Sequence, residues 1–182
     1  MITGVVRLSF VHVFEPAQTP SGDMKYSACI MIKKDDKATL KTIDEAIKEA
    51  TKKGLEKSVF NKTAVPRLRT PLRDGDAEVE EGKRTAEFKG FWFMNASSKN
   101  QPGVVDKALK PLFDTNEFYS GVWARVDCNL FPYNTRGNVG IGCGLNNLMK
   151  VADDERLDGR QRAEDAFSEF AEAPDAEEGE LK

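Results

Sequence analysis

Residues 117–151 read EFYSGVWARVDCNLFPYNTRGNVGIGCGLNNLMKV, and the period of this stretch decides the fold class. From Phe118 to Phe131 apolar and polar side chains alternate at period two, the pattern of a half-buried strand. One parity carries Phe118, Val122, Ala124, Val126, Cys128 and Leu130 and is expected to face a core. The other carries Tyr119, Gly121, Trp123, Arg125, Asp127, Asn129 and Phe131, which mixes rings with a cation and amides. Asn134, Arg136, Gly137 and Asn138 supply turn chemistry, so the stretch is expected to fold as one long β-hairpin. On the return run Val139, Ile141, Cys143 and Leu145 share one side, and Gly140, Gly142 and Gly144 fill the other. Rings and Arg beside a strip without side chains make a shelf on which flat rings can lie. No helix with Lys-Ser/Thr follows these glycines, so they read as permitting curvature or close approach of a chain rather than as a phosphate loop.

Working outward, three more runs read as strands. They are residues 2–14, with Val6, Leu8 and Phe10 on one parity, Met24–Lys33, and residues 86–95. The last places Phe88, Gly90, Trp92 and Met94 on one face and Lys89, Phe91, Phe93 and Asn95 on the other. After the second run Leu40, Ile43, Ile47 and Ala50 fall at helical spacing. Asp35 or Asp36 can cap that helix, Lys52 and Lys53 suit its C-terminal dipole, and Gly54 can close it. Residues 61–84 are expected as a long irregular segment holding Arg67, Arg69 and Arg73, then an acidic run from Asp74 to Glu81. The expected architecture is mainly β with a plug helix: a five-stranded OB-fold-like barrel over residues 1–152. An OB plug helix usually follows the third strand. Here it follows the second, which implies either a further strand or an inserted helix.

Composition bounds the chemistry. No run approaches the roughly 20 apolar residues of a membrane span, and the N-terminus lacks a basic-then-apolar leader. Cys29, Cys128 and Cys143 show no CxxC spacing, which points to reduced thiols and a cytoplasmic setting. With His12 the single histidine, neither a zinc site nor a histidine-based nucleophile is expected, and the reading is no metal and no cofactor. The net charge of −3 is unevenly spread. Residues 153–182 hold twelve acidic and four basic side chains, −8, leaving 23 basic and 18 acidic in residues 1–152, +5. This suggests a polyanion-binding body and an acidic interaction tail. A short helix is expected near 159–171 and disorder from Glu172 onward.

Single-stranded nucleic acid needs rings for bases, at about 1–3 kcal/mol each, interleaved with cations for phosphates. The candidate contacts are Arg67, Arg69, Arg73, Lys89, Phe91, Phe93, Tyr119, Trp123, Arg125, Phe131 and Arg136. Several segments strengthen this reading. Arg73-Asp74-Gly75-Asp76, Lys89 to Ala96 (KGFWFMNA), Pro102 to Asp106 (PGVVD), Phe118 to Gly121 (FYSG), Gly142 to Asn147 (GCGLNN) and Lys150-Val151 resemble a family of bacteriophage and prophage proteins long known only as a domain of unknown function. Its members are similar to OB-fold single-stranded-DNA-binding proteins of phage replication modules. The resemblance implies sequence-independent binding of single-stranded DNA, no catalysis, and an acidic C-terminus; from the charge layout, that tail is expected to engage phage or host replication and recombination proteins once DNA displaces it. The resemblance leaves oligomerisation open. The ending Glu180-Leu181-Lys182 departs from the aromatic or apolar tip common in proteins of this function. The tail is expected to visit the groove and compete with DNA.

Two other readings stand beside this one. Glu87-Phe88-Lys89 on a strand, with Asp74 and Asp76 upstream, has the residue types of a Mg²⁺-dependent nuclease. A phage structural or adaptor protein would bury both β faces.

Overall fold

The computed structural model describes residues 1–160 together with 166, 167 and 170. Among these, seven strands form: β1 (Val6–Gln18), β2 (Met24–Lys33), β3 (Arg73–Asp74), β4 (Phe91–Ser98), β5 (Gly103–Val105), β6 (Trp123–Thr135) and β7 (Asn138–Ala152). Two α-helices, α1 (Lys37–Glu56) and α2 (Gly75–Glu80), and 3-10 turns at Lys62–Arg67 and Ala86–Phe88 complete the elements. The strands form one sheet in the order β3-β4-β2-β1-β6-β7-β5, so it has seven members rather than the expected five. The five expected strands are β1, β2, β4, β6 and β7. The additions, β3 and β5, are short segments in connections that carried no alternating pattern. A further parallel pairing sets Ser97 of β4 opposite Gly144 of β7. The outer edge of β7 is shared by three segments: Arg69 opposite Gly140, Ser97 opposite Gly144, and β5 opposite Asn147 to Met149.

The hairpin forms as its residues dictate. Arg136 and Gly137 both take positive φ, 51° and 84°, which a two-residue turn between twisted strands demands. The side chain of Asn134 accepts from the Gly137 N–H at 3.1 Å and closes the turn. The register slips by one between Asp127↔Asn147 and Cys128↔Leu145, leaving Asn146 as an extra residue that bends the ribbon. Residues before Trp123 belong to turns, not to β6.

The main core lies between the sheet and α1, and holds Leu8, Ile30, Ile43, Met94, Val126 and Leu148 among others. Asp36 caps α1 by accepting from the Thr39 N–H at 3.0 Å. Ile43 and Ala50 of the apolar stripe are buried, and Leu40 and Ile47 pack at its border. Gly54 does not end the helix, which runs on to Glu56. Instead the ring of Phe60 sits where a Cβ on Gly54 would stand. Among the described residues α1 follows β2 with no strand between them, so the helix occupies the connection between the second and third long strands.

Phe10 shares the parity of Val6 and Leu8 in the sequence but not their inner face. The β1–β2 register shifts between Ser9 and His12, Phe10 adopts φ 47° and is 52% exposed, and Val13 takes the inner place. Residues 86–88 form a 3-10 turn, and the strand starts at Phe91. Residues 61–84 are not irregular throughout, since they contain β3, α2 and a 3-10 turn. The helix expected near 159–171 falls largely outside the described residues.

Candidate nucleic-acid interface

Cross-strand neighbours share a face, so the register identifies the outer surface of the sheet. One row runs Trp123, Arg7, Met31, Phe93, Arg73, and the next pairs Lys33 with Phe91. The rings anticipated at Phe91, Phe93 and Trp123 therefore do lie on one outer face. That end of the face is covered. Phe93 is fully buried with Cys29, Met31 and Phe88 in a second apolar cluster, edge-on to the Phe88 ring at 5.1 Å. The Arg73 and Arg84 guanidiniums lie over it at 4.9 and 5.0 Å. Arg73 is itself held by two bonds to Glu78, at 2.6 and 2.8 Å.

Tyr119 is also buried, with its hydroxyl donating to Asp153 Oδ1 at 2.8 Å and Arg156 over its ring at 4.4 Å. Trp123 is half-buried. Its indole N–H donates to Asp154 Oδ2 at 2.7 Å, and the Lys33 ammonium sits 4.8 Å from its ring centre. Leu157 packs against the second cluster, and its N–H donates to the Ser120 carbonyl at 2.8 Å. Phe93 and Tyr119 are thus corrected from stacking candidates to buried residues. The physical reason is that α2, the 86–88 turn and residues 153–158 lie across a face that alternation alone marks as outward. Lys89 is exposed and Phe91 half-buried at this same end, where β4 begins. Arg125 is exposed, with Nη1 donating to the Thr3 carbonyl at 3.4 Å.

The nuclease constellation is not assembled. Asp74 and Asp76 both hold the Lys34 ammonium, each at 2.6 Å. That hydrogen bond is the main cause that keeps both carboxyls below the usual aspartate range. Asp74 also caps α2, and Asp76 accepts from the Gly90 N–H at 2.8 Å. Glu87 lies in a 3-10 turn rather than on a strand. Among the described residues no three His, Cys, Asp or Glu side chains are gathered as metal ligands.

The far end of the hairpin is different. Asn129, Phe131 and Tyr133 stand opposite Gly144, Gly142 and Gly140. A Cβ on Gly142 would meet the Phe131 ring at 2.7 Å, one on Gly144 the Asn129 amide oxygen at 2.7 Å, and one on Gly140 the Tyr133 hydroxyl at 2.8 Å. The expected shelf therefore exists, and side chains of β6 lie across it. Phe131 remains 42% exposed.

Arg69 borders this shelf because its backbone bridges β7: its N–H donates to Val139 and its carbonyl accepts from Ile141. Arg67 lies two residues upstream and Arg136 at the hairpin tip, both exposed. Among the described residues none of these three arginines makes an ion pair. The surface continues across Gly144 to Ser97 and Ser27, flanked by Lys25 on β2 and Lys99 just past β4. Tyr133 and Lys25, on the outward parity of their strands, and Lys99, just past β4, were not anticipated from sequence.

The chain is similar to phage single-stranded-DNA-binding proteins over most of its length. The family model described as Enterobacter phage Enc34, ssDNA-binding protein, matches residues 1–179. Protein p50 of Acyrthosiphon pisum secondary endosymbiont phage 1 is 30% identical over 183 residues, 97% of this chain and 95% of that protein. The solved structure of the single-stranded DNA-binding protein from bacteriophage Enc34 in complex with ssDNA is similar at a TM-score of 0.72 and 26% identity, covering 86% of this chain and 88% of that one. The gp2.5 single-stranded DNA binding protein of bacteriophage T7 shares the fold, with a TM-score of 0.60 at 15% identity over 89% of this chain and 97% of that one.

Proposed function

We infer that this chain, which belongs to the Enterobacter phage Enc34 ssDNA-binding protein family, binds single-stranded DNA in phage replication and recombination, as a binding protein and not an enzyme. The observation that carries the reading at residue level is the open shelf. Phe131 and Tyr133 offer rings for bases, and Arg67, Arg69, Arg136, Lys25 and Lys99 offer cations for phosphates. Ring faces and point charges do not read base edges, so this recognition is indifferent to sequence.

The pairing pattern supports the placement. The strands β4, β2, β1, β6 and β7 return on themselves through the parallel Ser97↔Gly144 pair, as a five-stranded OB-type barrel would. In such barrels the face of the second and third strands and the loops flanking it hold oligonucleotides. Here those are the Lys25–Ser27 end of β2 and the Ser97 end of β4, with the loop 19–23 and the 136–137 turn. The body, residues 1–152, engages DNA in the host cytoplasm, and the acidic segment 153–182 competes with it and recruits replication or recombination proteins.

The test is fluorescence anisotropy with labelled oligo-dT. Replacing Phe131 and Arg69 by alanine is expected to weaken binding strongly, while the same change at Arg73, whose guanidinium is paired with Glu78, is not. Wild-type affinity in the Phe131→Ala/Arg69→Ala variant would overturn the placement.

A further inference from the structure

We propose that the bulge of β1 holds a nucleobase subsite, in which a single strand bound on the shelf places one base against Phe10 and His12. Both side chains line a cavity of about 540 Å³, whose other walls come from residues 115–120 and 156–160. That volume is in the range of pockets that enclose small ligands. Its lining joins the Phe10 and Phe14 rings to His12, Thr115 and Arg160, surfaces for stacking beside groups for hydrogen bonding.

The bulge is what brings Phe10 to this cavity. Ser9 pairs with Cys29 and His12 with Ser27, so Phe10 and Val11 together stand where a regular register has one residue. Phe10 takes φ 47°, a region that a bulky side chain rarely occupies, and its ring is 52% exposed. Strained backbone that holds an apolar ring in water is a mark of function more than of packing. The Phe88 ring, 6.5 Å away, and the Arg84 guanidinium, 5.7 Å away, steady the ring. The walls are fixed as well. Val11 N–H donates to Ser120 Oγ at 3.0 Å, Gly121 N–H to the Leu8 carbonyl at 2.7 Å, and Leu157 N–H to the Ser120 carbonyl at 2.8 Å. The Tyr119 hydroxyl and the Lys150 ammonium both hold Asp153 at 2.8 Å, and Arg156 makes two bonds to Asp158. The cavity is therefore preformed, and an uncharged base enters it without breaking these bonds.

Continuity with the shelf names the occupant. His12, Ser27, Ser97, Gly144 and Asn129 stand opposite one another in turn across β1, β2, β4, β7 and β6, so they form one outward row. Its middle members are small, which leaves room for a chain to lie across them. The row joins the shelf to the cavity over four inter-strand steps, roughly 19 Å, with Lys25 and Lys99 beside it. The subsite rests on the single-strand binding inferred above and extends it.

The test compares oligo-dT of about 4 and about 16 nucleotides, the span of site sizes for one OB fold. Phe10→Ala/His12→Ala is expected to weaken binding of the longer by roughly 5- to 150-fold, the loss of one stacked base. The shorter, which the shelf holds alone, should bind as before. A second readout needs no variant. With 5-iodouracil walked singly along the longer oligonucleotide, irradiation with the full chain should, from one position, cross-link the tryptic peptide from Leu8 to Lys25. Wild-type affinity of the variant for the longer oligonucleotide, an equal loss with both lengths, or adducts confined to other peptides would each overturn the subsite and leave the shelf standing. The shelf reading fails separately, through unchanged binding in the Phe131→Ala/Arg69→Ala variant.

Discussion

The indole N–H of Trp123 donates a 2.7 Å hydrogen bond to Asp154, a residue that charge patterning assigns to the acidic tail. An outward ring that alternation marks as a stacking candidate is thus engaged by the protein itself. In the reading proposed above, binding is carried by the other end of the same strand.

Phe131→Ala should weaken oligo-dT binding by the loss of one stacked base, about 1–3 kcal/mol or roughly 5- to 150-fold. Thermal stability should change little, because the ring is 42% exposed. Phe93→Ala should do the reverse. That ring is fully buried, and its removal should cost about 3–5 kcal/mol of folding stability, read by denaturant titration.

Gly142→Ala should impair binding more than folding. Its new Cβ would stand 2.7 Å from the Phe131 ring, whose outer atoms must lift from the shelf. Anisotropy and a melting curve on the same sample separate the two effects.

Arg69→Ala should lower the salt dependence of binding by about 0.7 in the log–log slope, the share of one phosphate on a single strand. Arg73→Ala removes a guanidinium already bonded twice to Glu78 and should leave the slope unchanged. Titrating affinity against salt for both variants checks the contrast.

Acid should release the segment carrying Asp154. Its carboxyl is held below the ordinary aspartate range, first by the Trp123 hydrogen bond. A depressed folded-state value means the contact contributes fully above the unfolded aspartate value, about 3.9, and is lost as pH falls through the lower folded one. Trp123 emission in the Trp92→Phe background should therefore change below about pH 4, and Asp154→Asn should remove that transition.

Much of the fold was legible because period and turn chemistry are local. The parity of Val122 to Cys128, the helical stripe of Ile43 and Ala50, and the Arg136-Gly137 turn each follow from residues a few positions apart. Phe10 leaves the side of Val6 and Leu8 because a bulge changes parity without leaving a mark in the pattern of side chains. β3 and β5, of two and three residues, are too short to show a period at all.

The sequence by itself determined which side of β4 and β6 a side chain takes, and so placed Phe91, Phe93, Trp123 and Phe131 outward. Only the tertiary structure decided what lies on that side. Phe93 is covered by Phe88, Arg73 and Arg84, and Trp123 is met by Asp154, partners brought in from other parts of the chain. Phe131 faces only Gly142 across the hairpin and stays open. Alternation is a property of one strand, whereas exposure depends on every segment that packs against it.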